Sequence, residues 1–132
     1  MLFTAHRIGT LELPNRLVRS ATAERMADDE GRPEPPLHEL YKKLAEGGVG
    51  LIITGHAYVH EGGRCHRKMT GIHRDELIPD LRKLVEVVHQ AGGRVAVQIN
   101  HGGRQCVADA IPGDPVAPSP VPLRKGAPRP RE

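Results

Sequence analysis

Residues 98–104 read Gln-Ile-Asn-His-Gly-Gly-Arg and follow directly on the apolar run Val95-Ala96-Val97. An amide, an imidazole and a guanidinium thus stand at the end of a short strand, on a backbone opened by two glycines. Gln98 can donate and accept hydrogen bonds at one place. In parallel β/α architectures the C-terminal ends of the strands face the ligand site. Two earlier segments end in the same way. Ser20-Ala21-Thr22-Ala23-Glu24 follows Leu17-Val18, and Thr54-Gly55-His56-Ala57-Tyr58 follows Leu51-Ile52-Ile53. Three successive strands with polar residues at their ends describe one wall of a site.

The elements that position this wall follow from periodicity. Ile8, Leu11 and Leu13 around Gly9-Thr10 predict a hairpin within residues 1–16. A first strand is expected over 17–22. Charge and proline make 27–36 a loop with no packed element. Leu37, Leu40, Tyr41 and Leu44 lie on one face of a helix over 37–46, closed by Gly47-Gly48. The run 49–54 reads as a parallel strand covered on both faces. Residues 60–75 read as a polar loop. A second helix over 76–91 carries Leu77, Leu81, Leu84, Val85 and Val88, with Asp75 as N-cap and Gly92-Gly93 as stop. A third strand covers 94–100. The order hairpin, β, α, β, α, β predicts an α/β fold with a parallel sheet. Residues 107–132 are rich in proline and aperiodic, and read as a loop or tail leading to an element not reached.

The 132 residues correspond to one domain, but core-forming composition is thin: aromatics are 2%, with Gly 15 and Pro 12. The net charge of +3 is spread along the chain except for Arg124-Lys125 and Arg129–Arg131. Prolines separate those charges and no aromatics interleave them, so a solvated segment is expected, not a nucleic-acid arm. Cys65 and Cys106 are too few for a disulfide scaffold, and neither lies in a CxxC. No signal peptide or membrane-length apolar run is present, so the expected setting is cytoplasmic, without membrane or nucleic-acid partners. His56, His60, Cys65, His66 and His73 fall close together, but their spacing fits no zinc pattern.

The ordered series Leu2-Phe3, Ile8-Gly9, Leu13-Pro14-Asn15-Arg16, Arg19-Ser20-Ala21-Thr22, Gly47-Gly48-Val49-Gly50-Leu51-Ile52-Ile53-Thr54-Gly55, Gln98 and His101-Gly102-Gly103-Arg104 resembles the Old Yellow Enzyme, or NADH:flavin oxidoreductase, family. Ala117-Pro118-Ser119 is similar to the family's loop after the third strand. The resemblance implies a TIM (β/α)8 barrel, of which residues 1–132 would be the N-terminal part, about three β/α units. It implies FMN as cofactor, NADH or NADPH as reductant, and hydride transfer through the flavin to an activated alkene such as an α,β-unsaturated carbonyl.

Carried over residue by residue, the resemblance assigns Gln98 to the pyrimidine edge of the flavin and Ala21, Thr22 and Ala23 to its ring face. Ala23 stands where some relatives carry a cysteine. Gly55 and His56 end the second strand near the ring, and His56 departs from the small residues usual there. His101 and Arg104 belong to the third strand's turn, with structural and cofactor roles both open. Gln105 stands where some relatives carry a basic residue. No catalytic residue is assigned, because the expected His-x-x-His or His-x-x-Asn pair belongs to a later strand. The alternatives are an inactive truncated chain, a half-barrel completed by self-association through its open sheet edge, and, last, a histidine-rich metal-binding module.

Overall fold

Gly9, at φ +58°, and Thr10 turn the chain so that His6–Ile8 (β1) pairs antiparallel with Leu11–Leu13 (β2) in the computed structural model, which describes residues 1–132. The expected hairpin is therefore present. A parallel sheet follows, centred on Leu51–Tyr58 (β4). Val18–Arg19 (β3) lies along the start of one edge of β4, and Val95–Asn100 (β6) runs along the other. Thr70–Gly71 (β5) continues the β3 edge, pairing with Ala57 and Tyr58.

Two helices connect the parallel strands. Pro35–Glu46 (α1) starts on two prolines, which suit a first turn whose N–H groups have no helical partner. Leu37, Tyr41 and Ala45 recur every fourth residue and are buried with His38. Gly48, at φ +80°, ends the helix in the left-handed region, and its N–H donates to the Ala45 carbonyl at 2.9 Å. Ile78–Gln90 (α2) buries Leu84 and Val88. Leu37, Tyr41, Ala45, Leu84 and Val88 close over Ile52 of β4, which is 0% exposed, and make the main core. The core lies between helices and sheet. It leaves the ends of β4 and β6 facing a different environment.

Several expected boundaries shift, each for a local reason. The first strand pairs only at Val18 and Arg19, not over 17–22, because Thr22 and Glu24 meet β4 through a carbonyl and a carboxylate instead of a ladder. The second strand begins at Leu51 and runs to Tyr58, four residues past its predicted end. The 27–36 segment is packed after all. Ala27 is 0% exposed, Asp28 Oδ1 accepts the Glu30 and Arg32 N–H groups at 2.9 and 2.8 Å, and Pro35-Pro36 already belong to α1. The 60–75 loop contains β5. Asp75 does not cap a long helix. It opens a single 3-10 turn, Asp75–Leu77, and the fully buried Leu77 is the residue before α2. Residues 107–132 are irregular, as expected, but tied down: Val116 bridges Arg131, and Ala110 and Ile111 are buried. No helix is long and apolar enough to cross a membrane.

Candidate functional site: a bulged strand end braced by a buried carboxylate

The register between β4 and β6 jumps. Ile53 faces Ala96 and His56 faces Gln98, so three steps on β4 oppose two on β6. One extra residue is therefore inserted at Thr54-Gly55, a β-bulge, which re-aims the side chains after it. A bulge leaves backbone groups without ladder partners. Here they are satisfied locally. The Gly55 N–H donates to the Tyr41 hydroxyl at 2.9 Å, and the Gln98 N–H donates to Thr54 Oγ1 at 3.2 Å. The Tyr41 hydroxyl in turn donates to Glu24 Oε1 at 3.2 Å. Glu24, with a side chain only 7% exposed, pairs with Arg19 Nη2 at 3.3 Å. Burial first of all, and then the Glu24 charge, push the Tyr41 phenol well above its ordinary range, so it stays a donor.

This brace requires glycine at position 55. A Cβ there would lie 2.0 Å from Glu24 Oε2 and 2.5 Å from the Thr22 carbonyl oxygen. Arg25, the residue after Glu24, has φ +57°, rare for any residue but glycine. Ala23, Arg25, Gly55, His56, His66 and Lys68 line a narrow cleft at this end of the sheet.

His56 projects from the bulge into a chain of polar contacts. Asn100 Nδ2, at the end of β6, donates to His56 Nδ1 at 3.1 Å. The His56 proton therefore sits on Nε2, which faces His66 Nε2 at 3.4 Å and donates to it. His66 then carries its own proton on Nδ1, which is buried without a partner. Burial, followed by the nearby Arg25 and His56, pushes the His66 pKa down, which keeps this ring neutral.

The residues singled out in the sequence divide into two sets. Gln98 stands in register with His56, and Ala23 shares the cleft with Gly55 and His56. Gln98 is exposed, and its side-chain amide makes no hydrogen bond within the protein. Ala21 is half-buried and Thr22 exposed; the Thr22 hydroxyl donates to the Ser20 carbonyl at 3.3 Å and accepts from Arg19 Nη1. His101 and Arg104 make contacts with neighbouring loops. The His101 ring stacks on His60 at 6.2 Å, and Arg104 Nη1 donates to the Val121 carbonyl at 3.3 Å. Glu24, His66 and Asn100 escaped the sequence reading as site residues, and Tyr41 was read only as core. No group of three or more His, Cys, Asp or Glu side chains converges as a metal site.

Comparisons with known proteins identify the family and the fold. The chain is 36% identical to an NADH oxidase of Thermoanaerobacter brockii over 99% of its own length and 20% of that protein's. It is 32% identical to an NADPH dehydrogenase of Listeria monocytogenes, over 99% of this chain and 38% of that one. A solved structure of morphinone reductase in complex with tetrahydroNAD superposes with a TM-score of 0.85 at 30% identity, covering 96% of this chain and 34% of that chain. The chain thus spans between a fifth and two-fifths of the length of these relatives. Its three long-range parallel pairings and two crossover helices are part of the (β/α)8 barrel that such enzymes share. The family model for NADH:flavin oxidoreductases and NADH oxidases matches residues 1–129, and the chain belongs to that family.

Proposed function

We propose that this chain supplies one wall of the flavin site of an FMN-dependent NAD(P)H oxidoreductase of the ene-reductase type. When bound, FMN would supply hydride transfer from NADH or NADPH to an activated alkene such as an α,β-unsaturated carbonyl. The observation that carries the reading is the free amide of Gln98. It is exposed at a strand end, opposite His56, with its donor and acceptor both unused by the protein. A flavin edge presents a carbonyl beside an N–H, which this donor set matches. The residues present therefore fit the cofactor on this side.

Each residue has a defined part. Gln98 would hold the pyrimidine edge. Ala21 and Ala23, small and accessible, would let the ring approach the backbone. Thr22 would meet the ring through its methyl face or by releasing its bond to Ser20. Gly55 leaves room for the Glu24 brace, and Asn100 orients the His56 ring toward His66. His101 and Arg104 would shape the loop beneath. A cytoplasmic setting belongs to this reading because nicotinamide cofactors are its reductants.

The test is Gln98→Ala in the flavin-loaded enzyme. Loss of hydrogen bonds worth about 1–3 kcal/mol corresponds to roughly 5- to 150-fold weaker FMN binding. The flavin midpoint potential would shift with it, whereas the unfolding midpoint of the flavin-free protein would not. Unchanged affinity and potential would remove Gln98 from the site.

A second reading rests on a separate observation: none of the six residues of β6 is buried, and its outer edge is unpaired. A half-barrel that completes itself by self-association would use this edge. Elution as a multimer that dissociates on dilution would support it.

A further inference from the structure

Cys65 and Cys106 lie far apart in the sequence, yet the fold brings their sulfurs to one point. A Cβ on Gly102 would stand 2.5 Å from Cys65 Sγ and 2.7 Å from Cys106 Sγ. The two loops that carry them are already locked together, since the Gly102 N–H donates to the Gly63 carbonyl at 2.8 Å. Each thiol is half-buried and so open to small solutes. We propose that Cys65 and Cys106 form a reversible intramolecular disulfide with a hydroperoxide as oxidant, a redox site at the mouth of the sheet independent of the flavin reading.

The surroundings give the two sulfurs different parts. The Cys106 S–H donates to the Gly62 carbonyl at 3.5 Å, which keeps its proton in place. Burial, reinforced by the neighbouring Cys65, pushes the Cys106 thiol up to about 11. Cys65 Sγ makes only a longer donation, to the Gly63 carbonyl at 4.0 Å, and it alone receives an N–H, from Asn100 Nδ2 at 3.5 Å, a contact that developing charge on sulfur would strengthen. Cys65 therefore attacks first. Its sulfur bonds to one peroxide oxygen, the O–O bond breaks, and the departing hydroxide takes the Cys65 proton and leaves as water. Cys106 Sγ then attacks Cys65 Sγ. The S–S bond forms, the S–O bond breaks, and the departing hydroxide takes the Cys106 proton as a second water. Two thiols lose two electrons and hydrogen peroxide gains them. A dithiol reverses the reaction by exchange.

The bond would join the loop after β4 to the loop after β6. Asn100 bonds both Cys65 Sγ and His56 Nδ1, so the state of the thiols reaches the cleft. The requirement for glycine at 102 follows directly, because any side chain there would stand between the sulfurs.

The test treats the purified full chain with hydrogen peroxide, then alkylates the remaining thiols and reads intact and peptide masses. The expected result is loss of both alkylation sites, an intact mass lower by two hydrogens, and one cross-linked peptide joining residues 65 and 106, all reversed by dithiothreitol. Cys106→Ser should trap a sulfenic acid at Cys65, read as a dimedone adduct. Gly102→Ala should lower the yield of cross-linked peptide. Persistence of both alkylated thiols in the folded chain, or oxidation to separate sulfinic acids without a bridge, would overturn the proposal.

Discussion

Tyr41→Phe isolates the hydroxyl that holds the bulge. The ring stays among Leu37, Ala45, Ile52, Leu84 and Val88, so no cavity opens and apolar burial is unchanged. What is lost is one acceptor for the Gly55 N–H and one donor to Glu24. Tyr41 is 1% exposed, so water does not readily replace the oxygen. A buried donor left unpaired costs about 1–3 kcal/mol, and Glu24 keeps its partner Arg19. A loss near 2 kcal/mol, with a urea slope of roughly 2 kcal/mol per molar, lowers the unfolding midpoint by about 1 M. Hydrogen exchange should show the same loss locally, with the Gly55 amide among the first to lose protection. Glu24→Gln is the control. It keeps an acceptor for Tyr41 and so leaves the Gly55 amide protected, while weakening the pair with Arg19. A change below about 0.5 kcal/mol with Gly55 protection intact would refute the claim that Tyr41 braces the bulge.

Other perturbations follow from the same geometry. Gly55→Ala forces a methyl against the Glu24 carboxylate and the Thr22 carbonyl, and should cost about 1–3 kcal/mol by urea unfolding, because one obstacle is backbone. His38, His66 and His73 all have pKa values pushed below 6.5, chiefly by burial. Below that value the unfolded chain binds more protons than the folded one, so stability should fall as pH drops from 6.5 toward the lowered folded values, and be flat with respect to these groups above it. His66→Gln should blunt that slope in a series of unfolding curves; an unaltered slope would exclude His66 as a contributor.

Much of the fold was legible because period and punctuation agreed. Leu37, Tyr41 and Ala45 at helical spacing, closed by Gly47-Gly48, gave α1 nearly to the residue. The apolar run 49–54 marked the central strand, which begins at Leu51. Its far end was illegible for a physical reason. A bulge is defined by a partner strand some forty residues away, and the local mark of it, Gly55 inside the strand, does not give its register. The same limit hid the brace. Glu24 follows Ala23 directly, so its position was in view, but its partners Tyr41 and Gly55 lie in other elements. The charged 27–36 segment looked solvated because its order comes from side-chain-to-backbone bonds at Asp28, which leave no periodic trace. Gln98 was legible because a strand end and a glycine pair mark it from either side.

The brace also explains how a thin core can hold a defined site. Few large side chains are available, and the main cluster sits on the helical side of β4. The site end is not packed by apolar volume. It is held by Arg19, Glu24, Tyr41 and the Gly55 N–H, which form one chain of donors and acceptors from the end of β3 through α1 to the bulge. Tyr41 belongs to both systems, with its ring in the core and its hydroxyl in the brace. Displacement of α1 would therefore move the bulge, and with it His56 and the register that places Gln98. A loss of helix packing, as in Val88→Ala, should consequently loosen the Gly55 amide although no atom of Val88 bonds to it. A network that was merely local would leave that amide untouched.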